Sequence, residues 1–271
     1  MKKSLLAMSI LTAAFGMSSA HAVSSALSAP APAPATSFTP AQIKEIRATV
    51  HDYLVNEPEV LMEASHSLQN RQQALMQAQA KSAIQKSGAA LTSGNLTVAG
   101  NPKGDVTLVE FFDYQCGHCV SMGPIIHTLI KENANLRVVF KEFPIFGKES
   151  EQAARGAIVA AMQGKYMKFQ NKLFKVGKRL DEPTILEVAK KVGLNMTTFK
   201  TDMESQAVTD VLDSNHKLAE AIHLMGTPAF IILATHHGHY QADSGADTIF
   251  IPGEASQQTL QDGINRLAKK G

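Results

Sequence analysis

Phe111-Phe112-Asp113-Tyr114-Gln115-Cys116-Gly117-His118-Cys119 is the stretch that decides the reading, because it carries both cysteines of a 271-residue chain. Immediately before its cysteines, Val106-Thr107-Leu108-Val109-Glu110-Phe111-Phe112 is a β-branched and apolar run of the length of a buried strand. Beyond them, Val120 to Glu132 reads as a helix. Two cysteines separated by two residues, where a strand hands over to a helix, can close a small disulfide ring and can exchange it with another protein.

Helix geometry distinguishes the two sulfurs. Cys116 falls at the helix N-terminus, where unpaired N–H groups and the macrodipole favour an anion, so its thiolate is expected to be the stabilised, attacking one. Cys119 falls one turn further in and is expected to be less accessible. His118 lies between them and can offer the thiolate a hydrogen bond or a positive charge, which favours the reduced form and makes the disulfide more oxidising. Other readings of the pair are open. Half of a zinc site has the same local pattern, yet such a site needs four ligands and the chain holds no second cysteine pair. A purely structural disulfide would close so short a loop that it would stabilise the fold weakly. Redox exchange is favoured over both.

The run from Val109 through Cys119 resembles the active-site segment of DsbA-family thiol–disulfide oxidoreductases, periplasmic bacterial proteins with a thioredoxin fold. A second match follows at Met225-Gly226-Thr227-Pro228-Ala229-Phe230. In that family this is the cis-proline loop facing the cysteine pair, which makes Thr227 and Pro228 the expected substrate-binding residues. The resemblance spans roughly residues 95 to 270. It implies an α/β, thioredoxin-like fold with an inserted helical domain, and a Cys116–Cys119 redox-active disulfide. It also implies a catalytic helper in Glu110, which lies beneath the pair in the family pattern and would accept protons from Cys119; otherwise Glu110 is a partly buried carboxylate kept for packing. No further cofactor and no metal are expected.

From the start of the chain, Met1-Lys2-Lys3 is a basic n-region, Leu5 to Met17 is mostly apolar, and Ala20-His21-Ala22 fits a signal-peptidase site. Residues 1–22 are therefore expected to be a signal peptide cleaved after Ala22. The mature protein is expected to be periplasmic and not membrane-embedded, in a compartment where disulfides persist. With Lys2 and Lys3 set aside, the 26 basic residues fall to 24, equal to the 24 acidic ones, so nothing suggests a nucleic-acid partner. Residues 23–37 form an Ala/Pro/Ser tether that cannot bury a core.

The next stretch, residues 38–92, reads as an N-terminal helical segment for oligomerisation. Thr39-Pro40 resembles a helix start, with Ile43, Ile46, Val50 and Leu54 at helical spacing. Pro58 begins a second helix expected to end near Ser87-Gly88. Leu61, Leu68 and Leu75 recur on it every seven residues, with Ala64 and Ala78 on the same side. So thin a stripe can pack on its own domain or join two copies. Association is favoured, because the segment precedes residues 93–271 as a separate unit and related proteins carry such a segment. A homodimer is the expectation, although the pattern does not separate dimer from trimer.

The remainder supplies one more strand, Asn135 to Pro144, expected to be parallel to the first. Helices follow over Ala153–Met162, Tyr166–Phe174, Pro183–Val192, Thr197–Met203 and Val208–Leu224, within the expected insertion at about 149–220. Ala229–Leu233 and Thr248–Gly253 read as an antiparallel pair, and Ser256 to Lys269 as the closing helix. The connection between those strands carries His236, His237 and His239, read as a flexible, solvated loop rather than a metal site. The expected partners are unfolded or misfolded exported proteins and a membrane redox partner, a DsbB-like oxidase, a DsbD-like reductase, or both. A periplasmic copper carrier using the same cysteines, and a non-catalytic holdase, are the alternatives from other classes.

Overall fold

A computed structural model of the chain describes residues 38–94, 96–177, 180–241 and 248–268. The expected signal peptide and tether lie outside the described residues. The chain divides into two compact units, Met1–Glu63 and Ala64–Gly271.

In the first unit, α1 spans Pro40–Asn56. Thr39 caps it: its Oγ1 accepts from the Gln42 amide at 3.3 Å, while the Gln42 side chain accepts from the Thr39 amide at 2.9 Å. That reciprocal box, with proline at the first helical position, explains why the helix starts where the sequence marks it. None of its residues is buried. The second helix, α2, spans Glu59–Thr92 and runs through the division.

The second unit is built on a mixed sheet. Its strands are β1 (Val98–Gly100), β2 (Val106–Phe112), β3 (Leu136–Glu142), β4 (Ala229–His236), β5 (His239–Tyr240) and β6 (Ile249–Pro252). β2 lies at the centre, parallel to β3 and antiparallel to β4, with Glu110 opposite Phe140 on one side and Phe230 on the other. β1 extends the sheet beyond β3, and both β5 and β6 pair with β4. Every residue of β2 and β3 is buried, as expected of strands covered on both faces.

Alternation along β2 sorts its side chains. Val106, Leu108 and Phe112 pack in the larger core, with α3 (Gly117–Glu132), α9 (Gln257–Ala268) and the helices α4 (Lys148–Met162), α5 (Tyr166–Phe174), α6 (Glu182–Lys191), α7 (Met196–Met203) and α8 (Gln206–Ala221). Val109 and Phe111 point the other way, into a core with Ala80, Ile84 and Leu91 of α2. Glu110 therefore shares the α3 face with Leu108 and Phe112.

Several expectations are corrected. The second helix does not end at Ser87-Gly88 but continues to Thr92. Ala80, Ile84, Gly88 and Leu91 are buried at helical spacing, and a Cβ on Gly88 would lie 2.3 Å from two ring atoms of Tyr240. Glycine is needed there for close approach, not for a break. Basic side chains meet the carbonyls of the helix end and of the residues just past it: Lys141 Nζ donates to Ala90 O at 3.4 Å and Ser93 O at 3.5 Å, and Arg137 Nη2 to Gly94 O at 3.0 Å. Residues 64–92 fall within the second compact unit. The histidine connection is also different. His236 pairs with His239 across a hairpin, and His237 and Gly238 make the turn with φ of 51° and 80°. A Cβ at Gly238 would meet Pro102 O at 2.4 Å, so this turn is packed.

Candidate active site

Cys116 is the N-cap of α3 and makes no capping bond with its side chain. Its thiol instead donates to the carbonyl oxygen of Thr227 at 3.4 Å. The Thr227–Pro228 bond is cis, so the second sequence motif does face the first. Cys116 keeps 5% of its surface exposed, whereas Cys119, on the first turn of α3, is fully covered. Both cysteines are free thiols. Burial pushes the Cys119 thiol far up, with lesser effects from groups that include Cys116. Nothing lies within 4 Å of where a Cβ on Gly117 would sit, which leaves that side of the pair open.

The loop that presents Cys116 is pinned by Asp113. One carboxyl oxygen accepts from the Gln115 amide and the Ser150 hydroxyl, both at 2.7 Å; the other accepts from the amides of Ile145 and Phe146 at 2.7 and 3.1 Å. A single buried side chain thus ties the end of β2 to the loop after β3 and to α4. Beneath it, Tyr114 and Tyr166 donate to the same oxygen of Glu142 at 3.1 and 2.8 Å. Burial holds the Glu142 carboxyl well above its ordinary range. Glu110, on the α3 face of the central strand, is buried, and desolvation raises its carboxyl to about 8.

On the rim, His118 Nδ1 lies 2.6 Å from Glu254 Oε2, and Ser121 Oγ donates to Glu254 Oε1 at 2.9 Å. A groove of about 690 Å³ runs from Thr227 and Pro228 past Met225 and Phe250 to Gln79 and Ala80 of α2. Met225 is 92% exposed at its edge.

Six of the expected residues, Cys116, His118, Cys119, Glu110, Thr227 and Pro228, thus come from β2, the start of α3 and the loop before β4. Leu61, Leu68 and Leu75 do not join them; they are exposed at 54%, 58% and 63% along α2. The His236–His237–His239 hairpin lies at the far end of β4, where His237 N donates to Asp105 Oδ1 at 3.3 Å. Among the described residues no group of three or more His, Cys, Asp or Glu could hold a metal ion, and no helix is long and apolar enough to cross a membrane. Asp113, Ser121, Glu142 and Glu254 went unread, because each acts through partners that no spacing rule links to it.

This constellation, a Cys-x-x-Cys pair at a helix N-terminus facing a cis-proline loop in a thioredoxin-like fold, defines the class of thiol–disulfide oxidoreductases. Residues 107–265 match the DSBA-like thioredoxin domain, and the chain belongs to that family. Residues 42–74 match the copper resistance protein ScsC N-terminal domain. Among solved structures, BcfH of Salmonella enterica Typhimurium is 33% identical with a TM-score of 0.69, covering 85% of this chain and 97% of that one. A thioredoxin-like oxidoreductase from Silicibacter pomeroyi is 35% identical with a TM-score of 0.59, covering 66% and 96%. The thiol:disulfide interchange protein DsbA of Bordetella pertussis is 27% identical over 143 residues, 51% of this chain and 68% of that protein. The chain also matches Na⁺/H⁺ antiporters such as NhaA 3 of Salinispora tropica, of whose length it spans only 23% at 24% identity.

Proposed function

We propose that the protein is a periplasmic thiol–disulfide oxidoreductase that forms and isomerises disulfides in exported proteins, with Cys116 as the exchanging sulfur. The observation that carries this reading is the asymmetry of the pair: Cys116 caps a helix and faces the Thr227 carbonyl, while Cys119 is sealed beneath it.

In the oxidised form a substrate thiolate attacks Cys116 Sγ. The Cys116–Cys119 bond breaks, a mixed disulfide forms, and Cys119 departs with the electron pair. A thiolate of high proton affinity is a poor leaving group. A proton delivered as it departs offsets this, and Glu110, whose carboxyl holds its proton to about 8, is the group on the same sheet face suited to deliver it. A second substrate thiolate then attacks the mixed disulfide, releasing oxidised substrate and leaving both enzyme cysteines reduced. For isomerisation the reduced enzyme starts instead, with Cys116 attacking a wrong substrate disulfide and Cys119 resolving stalled adducts. The backbone of half-buried Thr227, on the loop that faces Cys116, would supply recognition of an extended segment without demanding a sequence. A membrane oxidase or reductase would reset the pair, and Leu61, Leu68 and Leu75 would join copies into a homodimer that presents two sites to one misfolded substrate.

Trapping tests this reading. With Cys119→Ser, Cys116 should accumulate mixed disulfides with exported proteins that Cys116→Ser never forms; equal labelling of both variants would contradict the assignment. A second reading, a soft-metal carrier, is favoured by the ScsC-type match at residues 42–74, since thiolates suit Cu(I). Stoichiometric Cu(I) binding by a protein that turns over no disulfide would favour it.

A further inference from the structure

The rim of the site holds a carboxylate that the exchange chemistry described above does not use. Glu254 follows Gly253, whose amide donates to the Pro228 carbonyl at 2.8 Å, so its backbone is fixed to the loop that faces Cys116. Its side chain reaches back to α3, where one oxygen meets His118 Nδ1 at 2.6 Å and the other accepts from Ser121 Oγ at 2.9 Å. Ser121 Oγ also lies 2.8 Å from the His118 carbonyl, so its single proton is shared between that carbonyl and the carboxylate. Both carboxylate oxygens are thereby engaged, and one side chain ties the cysteine helix to the cis-proline loop. His118 and Glu254 remain 72% and 47% exposed, so the pair is solvent-screened and its effect is modest.

We propose that Glu254 is a positioning residue that restrains His118, lowering the oxidising strength of the Cys116–Cys119 disulfide. The inference rests on the thiol–disulfide reading above. Reduction of the disulfide by two glutathione thiols yields two protein thiols and one glutathione disulfide, and any cation near Cys116 that stabilises its thiolate pulls this exchange forward. An imidazole whose Nδ1 is committed to a carboxylate offers that thiolate less positive charge, and the carboxylate adds a negative charge of its own. Both effects oppose thiolate formation. Without Glu254, His118 is free to turn toward the sulfur and the disulfide becomes the stronger oxidant.

The experiment is a double-mutant cycle. The full chain, Glu254→Gln, His118→Ala and the double variant are each equilibrated with glutathione buffers near pH 6, where an ordinary imidazole is largely cationic. Glu254→Gln should shift the equilibrium toward the reduced protein by about three- to fivefold, equivalent to roughly 14–21 mV for a two-electron couple. In the His118→Ala background the same substitution should shift it by less than about 1.5-fold. Glu254→Asp, whose carboxylate is one methylene shorter, should fall between the full chain and Glu254→Gln. No shift, a shift toward the oxidised form, or an equal shift in both backgrounds would overturn the proposal while leaving the thiol–disulfide reading intact. Failure of the unaltered chain to exchange with glutathione at all would overturn both.

Discussion

At the residue scale, the site separates a sulfur that keeps 5% of its surface exposed from one that is fully covered, and the central strand carries a buried acid, Glu110, on the face shared with α3. Glu110 makes that arrangement measurable. Its carboxyl is raised by desolvation from 4.5 to about 8, so the folded state binds a proton that the unfolded chain has already released. The stability this contributes is fully present below about 4.5 and is lost as pH rises through about 8. The unfolding free energy of the full chain, read from urea titrations, should therefore fall between about pH 5 and pH 9, by up to roughly 5 kcal/mol as a ceiling. Glu110→Gln should flatten that profile and slow exchange at Cys116; an unchanged profile would place the shifted group elsewhere. Sequence spacing alone reveals Cys116, Cys119 and His118, because a disulfide ring and a helix terminus are local. Glu254 stands 136 positions from the histidine it holds, and Asp113 bonds amides 32 and 33 positions away. Contacts formed only by chain folding leave no periodic trace in composition.

At the scale of elements, the long helix α2 carries two different stripes. Leu61, Leu68 and Leu75 stay exposed, while Ala80, Ile84, Gly88 and Leu91 close the far face of the sheet. The first stripe is conspicuous in the sequence because leucine repeats every seven residues. The second is built largely from small residues, and its glycine has the local signature of a break. Gly88→Ala gives a sharp test: in an open helix it should stabilise by up to about 1 kcal/mol. Against the Tyr240 ring at 2.3 Å it should instead destabilise by about 1–3 kcal/mol, read from denaturant midpoints. Tyr240→Ala should remove most of that penalty. β2, β3, β4 and β6 were legible as apolar runs. The three-residue β1 and two-residue β5 are too short for alternation to register, and they exist because β3 and β4 offer them edges.

At the scale of the whole molecule, truncation distinguishes the two compact units. Removal of residues through Glu63 should leave a folded unit with intact Cys116 chemistry. Removal through Thr92 also strips Ile84 and Leu91 from the core, and at about 1.5–3 kcal/mol for each should cost roughly 3–6 kcal/mol. Charged substitutions at Leu61, Leu68 and Leu75 should leave the thermal midpoint nearly unchanged but reduce the sedimenting species to a monomer; a full-length chain already monomeric at micromolar concentration would contradict their use in assembly. The central claim, that the Cys116–Cys119 pair passes its disulfide to other proteins, is tested most directly by mixing the oxidised full chain with a reduced, unfolded substrate protein and counting thiols on both by mass. The account predicts that each substrate disulfide formed consumes one Cys116–Cys119 disulfide, with nothing transferred by Cys116→Ser. A pair that stays oxidised while the substrate thiols remain free would contradict it.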